Sequence, residues 1–349
     1  MPQNEPVQRI SLVAVPEASP GTLAGLREVF GEFAPLSLVD PSLNIRNPFS
    51  LDIVTPGRGP LDLGGGLSLD GAHCVDEVTH TDIVIVPPLS LPDNGNWRTG
   101  RYPQVIAWMQ RMHDNGAQLC SACSGALLLA ETGLLDGRTA TTHWALADTF
   151  RRLFPDIHLA LDKTLIIEGE RRQLVLSGAA FAWQDLVLWL IAQHLGAAAA
   201  QAVAKFHALN AHLDGMAPYR VFIPRFDHGD AVVARAQHWI ADNLTCPSPV
   251  ETMVDRSNLS ARHFKRRFLN ATGYSPIRYV QMLRIDEAKR LLEQTRQPVE
   301  DIAWAVGYEE PAFFRRLFRR LEGVSPGIHR RRFSLMPFES GTNVPMANR

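Results

Sequence analysis

Two groups of residues in this sequence have the types and spacing to do chemistry. The first centres on Cys123, in "AQLCSACSGALLLAETGLLDGRTATTHW" (residues 117–144), where a short apolar run reaches a cysteine, then Ser124 and Gly125, then a helical run. A strand that turns sharply into a helix exposes the side chain at the turn and aims helix N–H groups at whatever lies beside it. That is the geometry of a nucleophile elbow and equally of a small-ligand pocket. His143 follows 20 residues later. At that spacing it serves either as a base for Cys123 or as the cap of a helix starting near Trp144.

The second group is basic. "VEDIAWAVGYEEPAFFRRLFRR" (299–320) gathers four arginines in a chain whose formal net charge is −1. The near-neutral total hides an asymmetry: residues 1–230 carry 16 Lys/Arg against 24 Asp/Glu, and residues 231–334 carry 18 against 11. A basic module has been joined to an acidic one, so a polyanion is expected as the partner of the second part only.

The arginine-rich stretch has a relative within the chain. Residues 250–268, "VETMVDRSNLSARHFKRRF", run parallel to 299–318, "VEDIAWAVGYEEPAFFRRLF". In each, Val-Glu opens a helix, a residue that tolerates positive φ follows (Asn258, Gly307), and a second helix carries aromatics four apart (Phe264/Phe268, Phe314/Phe318). Each unit then ends in Gly-x-Ser-Pro, a helix stop followed by a Ser cap and a Pro at the first helical position.

Two helix-turn-helix units in tandem are therefore expected, each placing its second helix in a DNA major groove. With the phenylalanines inward, Arg262, His263, Lys265 and Arg266 of the first unit and Arg315, Arg316 and Arg319 of the second face double-stranded DNA. Glu309 and Glu310 would repel nearby phosphate. Between the units, Pro276 to Glu293 reads as one rigid helix of about 27 Å, a spacer for two successive groove segments.

This module, residues 231–334, resembles the AraC/XylS family of bacterial transcription regulators, through "PVEDIAWAVGYEEPAFFRRLFRR" and "GYSPIRYVQMLRIDEAKRLL". One departure is Val254, where the first unit of the family has Ala. The resemblance implies sequence-specific promoter binding as a homodimer, RNA polymerase as a further partner, and an attached domain that senses a small-molecule effector.

Before the module, β-branched runs at 9–15, 51–56, 81–88 and 117–122 alternate with helical stretches such as 20–33 and 102–114, and a helix at 183–196 is expected to close the domain. The alternation predicts an α/β fold, a doubly wound parallel sheet, followed by an all-α tandem helix-turn-helix domain. The expected boundaries are a ligand-sensing domain at 8–212, a Pro/Gly-containing linker at 213–230, the DNA-binding domain at 231–334 and a disordered tail at 335–349.

The stretch around Cys123 and "TLAGLREVF" (22–30) resemble the class I glutamine-amidotransferase-like superfamily, which includes the intracellular proteases, and most of all the subgroup fused to AraC-type domains. In hydrolytic relatives a His follows the nucleophile; Ser124 stands here. Many of them have Gly-Gly after the "VIVP" strand, where this chain has "PPLS" and Pro88 has no N–H to donate. The acidic residue of their first loop is replaced by Thr22. The resemblance thus implies an intact pocket (Cys123, Ser124, Leu89, His143, Thr22) without catalysis, sensing an amino acid or quaternary amine.

Trp108, Trp144 and Trp183 would offer a cage for such an amine if they converged. Two other readings stay open, a cysteine-dependent hydrolase or amidotransferase tethered to DNA and an architectural DNA-binding protein. No metal site or other cofactor is expected: Cys120 and Cys123 form a lone C-x-x-C, and residues three apart on a strand point to opposite faces. The four cysteines are too scattered for a disulfide framework, and the N-terminus lacks an export signal, so a cytoplasmic protein without a membrane partner is expected.

Overall fold

The computed structural model describes residues 8–41, 43, 47–91 and 96–334; the tail expected at 335–349 lies outside them. The chain divides into two compact units, Met1–Met216 and Ala217–Arg349.

The first unit is built on strands β1 (Gln8–Val13), β2 (Phe49–Thr55), the short pair β3 (Leu61–Asp62) and β4 (Ser68–Leu69), β5 (His73–Cys74), β6 (Ile83–Val86), β7 (Gln118–Ala122), the short pair β8 (Thr139–Ala140) and β9 (His158–Leu159), β10 (Leu165–Glu168) and β11 (Leu174–Ser177). Seven of them form one sheet in the order β10-β11-β7-β6-β1-β2-β5. The central strands read as continuous apolar runs because both faces are covered: every residue of β6 is buried.

All neighbours pair in parallel except β10 with β11. That edge departs from the expected parallel sheet because only residues 169–173 join the two strands, too few for a crossover, with Gly169 (φ +85°) and Arg172 (φ +56°) making the reversal.

The helices are α1 (Pro20–Gly31), α2 (Pro103–Asp114), α3 (Ala126–Ala130), α4 (Ala147–Leu153), α5 (Trp183–Leu195) and α6 (Ala197–Phe206). Ser19 caps α1, Pro20 occupies its first turn, and Leu23, Leu26, Val29 and Phe30 form its buried stripe. The helix at 183–196 does not close the unit. Gly196 (φ +85°) ends α5, and α6 folds back on it through Ala199, Ala200, Ala202 and Val203; an alanine run carries too little contrast to reveal that face beforehand.

The second unit is helical: α7 (Ala231–Asp242), α8 (Pro249–Ser257), α9 (Ala261–Thr272), α10 (Pro276–Gln294), α11 (Val299–Ala305), α12 (Pro311–Glu322) and α13 (Pro326–Phe333). It has two separate apolar cores. Val233, Ile240, Met253, Phe264, Phe268, Tyr279 and Val280 make the first, and Ile285, Ala288, Leu292, Ile302, Phe314 and Phe318 help make the second.

The segment expected as a linker, 213–230, is bound at both ends. The Met216 N–H donates to the Asp162 carbonyl at 2.9 Å, within the first unit. In the second unit, Lys289 donates to the Arg220 carbonyl, the Phe222 N–H to Asp286 at 3.2 Å and the Gln237 amide to the Arg225 carbonyl at 2.9 Å. The Phe222 ring lies 5.1 Å from that of Tyr279. A strap whose backbone is satisfied by side chains of other elements needs no period of its own, so it reads as loop.

Candidate functional site

Topology places the first site. The chain passes from β1 to β2 on one side and from β6 to β7 on the other, so strand order reverses between β1 and β6. Ligands of doubly wound sheets lie in the crevice beyond the carboxyl ends of strands at such a reversal. Here the two loops are tied together: the Ser19 N–H donates to the Pro88 carbonyl at 2.8 Å and the Ser90 N–H to the Glu17 carbonyl at 2.7 Å.

Cys123 stands at the end of β7 with φ +54°, a conformation that costs a side-chain-bearing residue energy. The close approach that follows demands glycine at 125, where a Cβ would lie 2.5 Å from the Pro87 carbonyl oxygen and 2.6 Å from that of Val86. Ser124 Oγ accepts the Leu89 N–H and donates to the Leu89 carbonyl, both at 2.7 Å. Thr22 Oγ1 donates to Ser19 Oγ at 3.2 Å. Four of the five sequence-predicted pocket residues, Cys123, Ser124, Leu89 and Thr22, thus belong to one buried chain of contacts along these loops.

His143 stands apart. Its Nδ1 accepts the Ala145 N–H at 3.2 Å, capping the helical turn before α4, and its ring lies 5.0 Å from that of Trp144. Among the described residues no hydrogen bond joins it to Cys123; Thr142 Oγ1 instead donates to the Cys123 carbonyl at 2.8 Å. Burial pushes the Cys123 thiol above its ordinary range, with neighbouring Ser124 opposing the shift, and burial lowers His143. A protonated thiol is a weak nucleophile, and the Leu89 N–H that would face an oxyanion is already taken by Ser124.

The aromatic cage does not assemble from two of its three members. Trp108 is fully buried in α2 with its indole N–H on the Val78 carbonyl at 2.8 Å, and Trp183 packs edge-on against Gly25 of α1. Sequence reasoning also missed Glu17. This carboxylate, only 8% exposed, pairs with Arg101 and accepts the Tyr102 hydroxyl, while the guanidinium lies 5.3 Å from the Tyr102 ring. Burial, reinforced by Glu17, lifts the phenol well above its usual range, so it remains a donor. The available signal was an acid two residues beyond the apolar run that β1 opens, after Pro16.

The second site is the face of α9 and α12. Asn258 takes φ +56° between α8 and α9, and Gly307 φ +86° between α11 and α12. Ser260 caps α9, and Gly273 and Gly323 end α9 and α12 in left-handed conformations. Phe264, Phe268, Phe314 and Phe318 are fully buried, which turns Arg262, His263, Lys265 and Arg266 of α9 and Arg315, Arg316 and Arg319 of α12 to the exposed side. Arg315 is engaged by Glu300 in an exposed ion pair, which contributes about 0–1 kcal/mol and yields readily to phosphate.

Arg320, the fourth arginine of the cluster and not among the sequence-predicted site residues, and the half-exposed Phe313, which escaped sequence reasoning, share the outward face of α12. Phe313 stands where the first unit has His263, one residue before the inward Phe, and the repeat alone would have located it.

A family model described as "Helix-turn-helix domain" matches residues 253–332, and one described as "DJ-1/PfpI family" matches residues 37–170. Residues 253–332 thus carry an AraC-type helix-turn-helix domain, and residues 37–170 a DJ-1/PfpI domain. It is 26% identical over 316 residues to the HTH-type transcriptional regulator CdhR of Pseudomonas aeruginosa, covering 89% of this chain and 90% of that one. To the HTH-type transcriptional regulator GlxA of Rhizobium meliloti it is 27% identical over 280 residues, covering 80% and 84%. The crystal structure of an AraC family transcriptional regulator from Pseudomonas putida overlays 57% of this chain and 99% of that one, with 15% identity and a TM-score of 0.46. No helix among the described residues is long and apolar enough to cross a membrane.

Proposed function

We propose that the DJ-1/PfpI domain binds a small metabolite at the Cys123 elbow and that the AraC-type module reads two successive major-groove segments, so that the metabolite controls transcription. The observation that carries this reading is the outward presentation of a cationic set by both α9 and α12, each backed by its own pair of buried phenylalanines. The effector we favour is an amino acid or quaternary amine, bound at the crevice where Glu17, Leu89, Ser124 and Cys123 meet the loops after β1, β6 and β7. Homodimerisation and contact with RNA polymerase complete the proposal.

The elbow favours sensing over hydrolysis on three counts: burial disfavours the thiolate, the Leu89 N–H is occupied, and His143 is committed to a helix cap. Operator sites selected by the full-length chain from random duplex DNA test the reading helices. Arg262→Ala or Arg316→Ala then weakens specific binding by about 1–3 kcal/mol where the side chain reads a base, with a smaller, sequence-independent loss at phosphate. Unchanged affinity for specific and bulk DNA in both variants refutes the assignment. For the elbow, Cys123→Ser retains effector-dependent stabilisation of the full-length chain in a thermal-shift screen; loss of amide or ester turnover in that variant would establish the hydrolase instead.

A further inference from the structure

The two helix-turn-helix units share no apolar core, which raises the question of what fixes the angle between their reading helices. Helix α10 runs through both: Tyr279 and Val280 belong to the first core, with Leu283 packed against it, while Ile285, Ala288 and Leu292 belong to the second. Arg284 lies at the changeover and is itself buried, with 7% exposure.

Its guanidinium donates to three backbone carbonyls, and the Tyr308 side chain interacts with it as well. Nε donates to Leu244 at 2.7 Å and Nη2 to Cys246 at 2.7 Å, both in the loop that leads into α8 of the first unit. Nη1 donates to Gly307 at 2.9 Å, in the turn of the second unit. The Tyr308 ring lies 5.2 Å from the guanidinium carbon. Among the described residues no carboxylate pairs with this cation. The planar fork, with donors fixed in direction, is what lets one side chain hold carbonyls from two units at once.

A second observation agrees. At Gly307 a Cβ would lie 2.9 Å from Thr245 Cα and 2.9 Å from Arg284 Nη2. The second turn is therefore pressed directly against the loop of the first unit, and glycine at 307 is required for that contact as well as for φ +86°.

We infer that Arg284 is the positioning residue that sets the mutual register of the two reading helices, and so the spacing of the two DNA segments the chain accepts. The inference rests on the two-helix reading above. One inserted base pair displaces the second segment by about 3.4 Å and turns it by about 35°. A rigid junction cannot follow that movement, and a loosened one can.

The test uses a site selected by the full-length wild-type chain, together with duplexes carrying one base pair more or fewer between the two segments. Wild type is expected to bind these at least about 10-fold more weakly than the selected site, the size of a mismatched base pair. Arg284→Met keeps the length and loses the donors; its preference is expected to shrink to within about 3-fold, with Arg284→Lys between the two. A loss of folded protein alone would lower binding to every duplex equally and leave the ratio unchanged. Should Arg284→Met not fold, Arg284→Lys carries the comparison. An unchanged ratio in folded variants overturns the role of Arg284, while a wild type indifferent to spacing overturns the two-segment reading on which it stands.

Discussion

Replacing Ser124 by Ala tests whether its hydroxyl alone seals the Leu89 backbone groups from water. Ser124 and Leu89 are each 5% exposed, and the serine hydroxyl satisfies both the N–H and the carbonyl of Leu89 at 2.7 Å. The neighbouring backbone groups are already committed, Ser19 to Pro88 and Ser90 to Glu17, so the two loops offer Leu89 no substitute. An unpaired buried polar group costs about 1–3 kcal/mol, so two of them with partial relaxation cost about 3 kcal/mol. For a unit of this size each kcal/mol moves Tm by about 2–4 °C, which places the expected drop near 6–12 °C. Scanning calorimetry of the full-length variant reads it directly. A drop below about 2 °C would mean that water replaces the hydroxyl at once, and the view of Leu89 N–H as sealed from an oxyanion would fail with it.

The remaining predictions concern the helical unit. Lys289 and Glu322 form a 3.0 Å ion pair with side chains 7% and 12% exposed. Lys289→Met is expected to destabilise by about 3–5 kcal/mol in urea melts by stranding the carboxylate, and Lys289→Met with Glu322→Leu to recover most of that. Asp230 caps α7 by accepting the Val232 and Val233 N–H groups at 3.0 Å, and pairs with Arg267. Burial raises its pKa, but the Arg267 bond and the two backbone bonds outweigh that and hold it below the usual carboxylate range. Its stabilisation is therefore present above the unfolded value of about 3.9 and is lost as pH falls through the lower folded value. Asp230→Ala is expected to cost about 1 kcal/mol at neutral pH, with the gap to wild type closing in acid; a gap that persists at pH ~2 would refute the charge-based account.

The helical unit was largely legible because its chemistry is local and occurs twice. Asn258 and Gly307, the paired phenylalanines and the two Gly-x-Ser-Pro stops each announce a conformation within a few residues. The α/β unit was legible in its central strands β1, β2, β6 and β7 but not in β5, β10 and β11, and Cys123 in its elbow, because β-branched runs and a glycine that admits close packing also act locally. What escaped depends on distant partners. Glu17 takes meaning from Arg101 and Tyr102, more than 80 residues away, and the strap at 217–230 from helices that follow it. Arg284 reads as one more cation on a spacer helix until the fold brings carbonyls 244, 246 and 307 around it. His143 could not be assigned from a spacing of 20 residues, and the structure commits it to a cap.

The repeat is no longer symmetric, and the two turns show where it diverged. Asn258 bends in the open, while Gly307 is shut between Thr245 and Arg284. Drift in a lineage can therefore sample asparagine, aspartate or glycine at 258, whereas at 307 every heavier side chain collides. One copy has kept a replaceable hinge pin; the other has become a keystone.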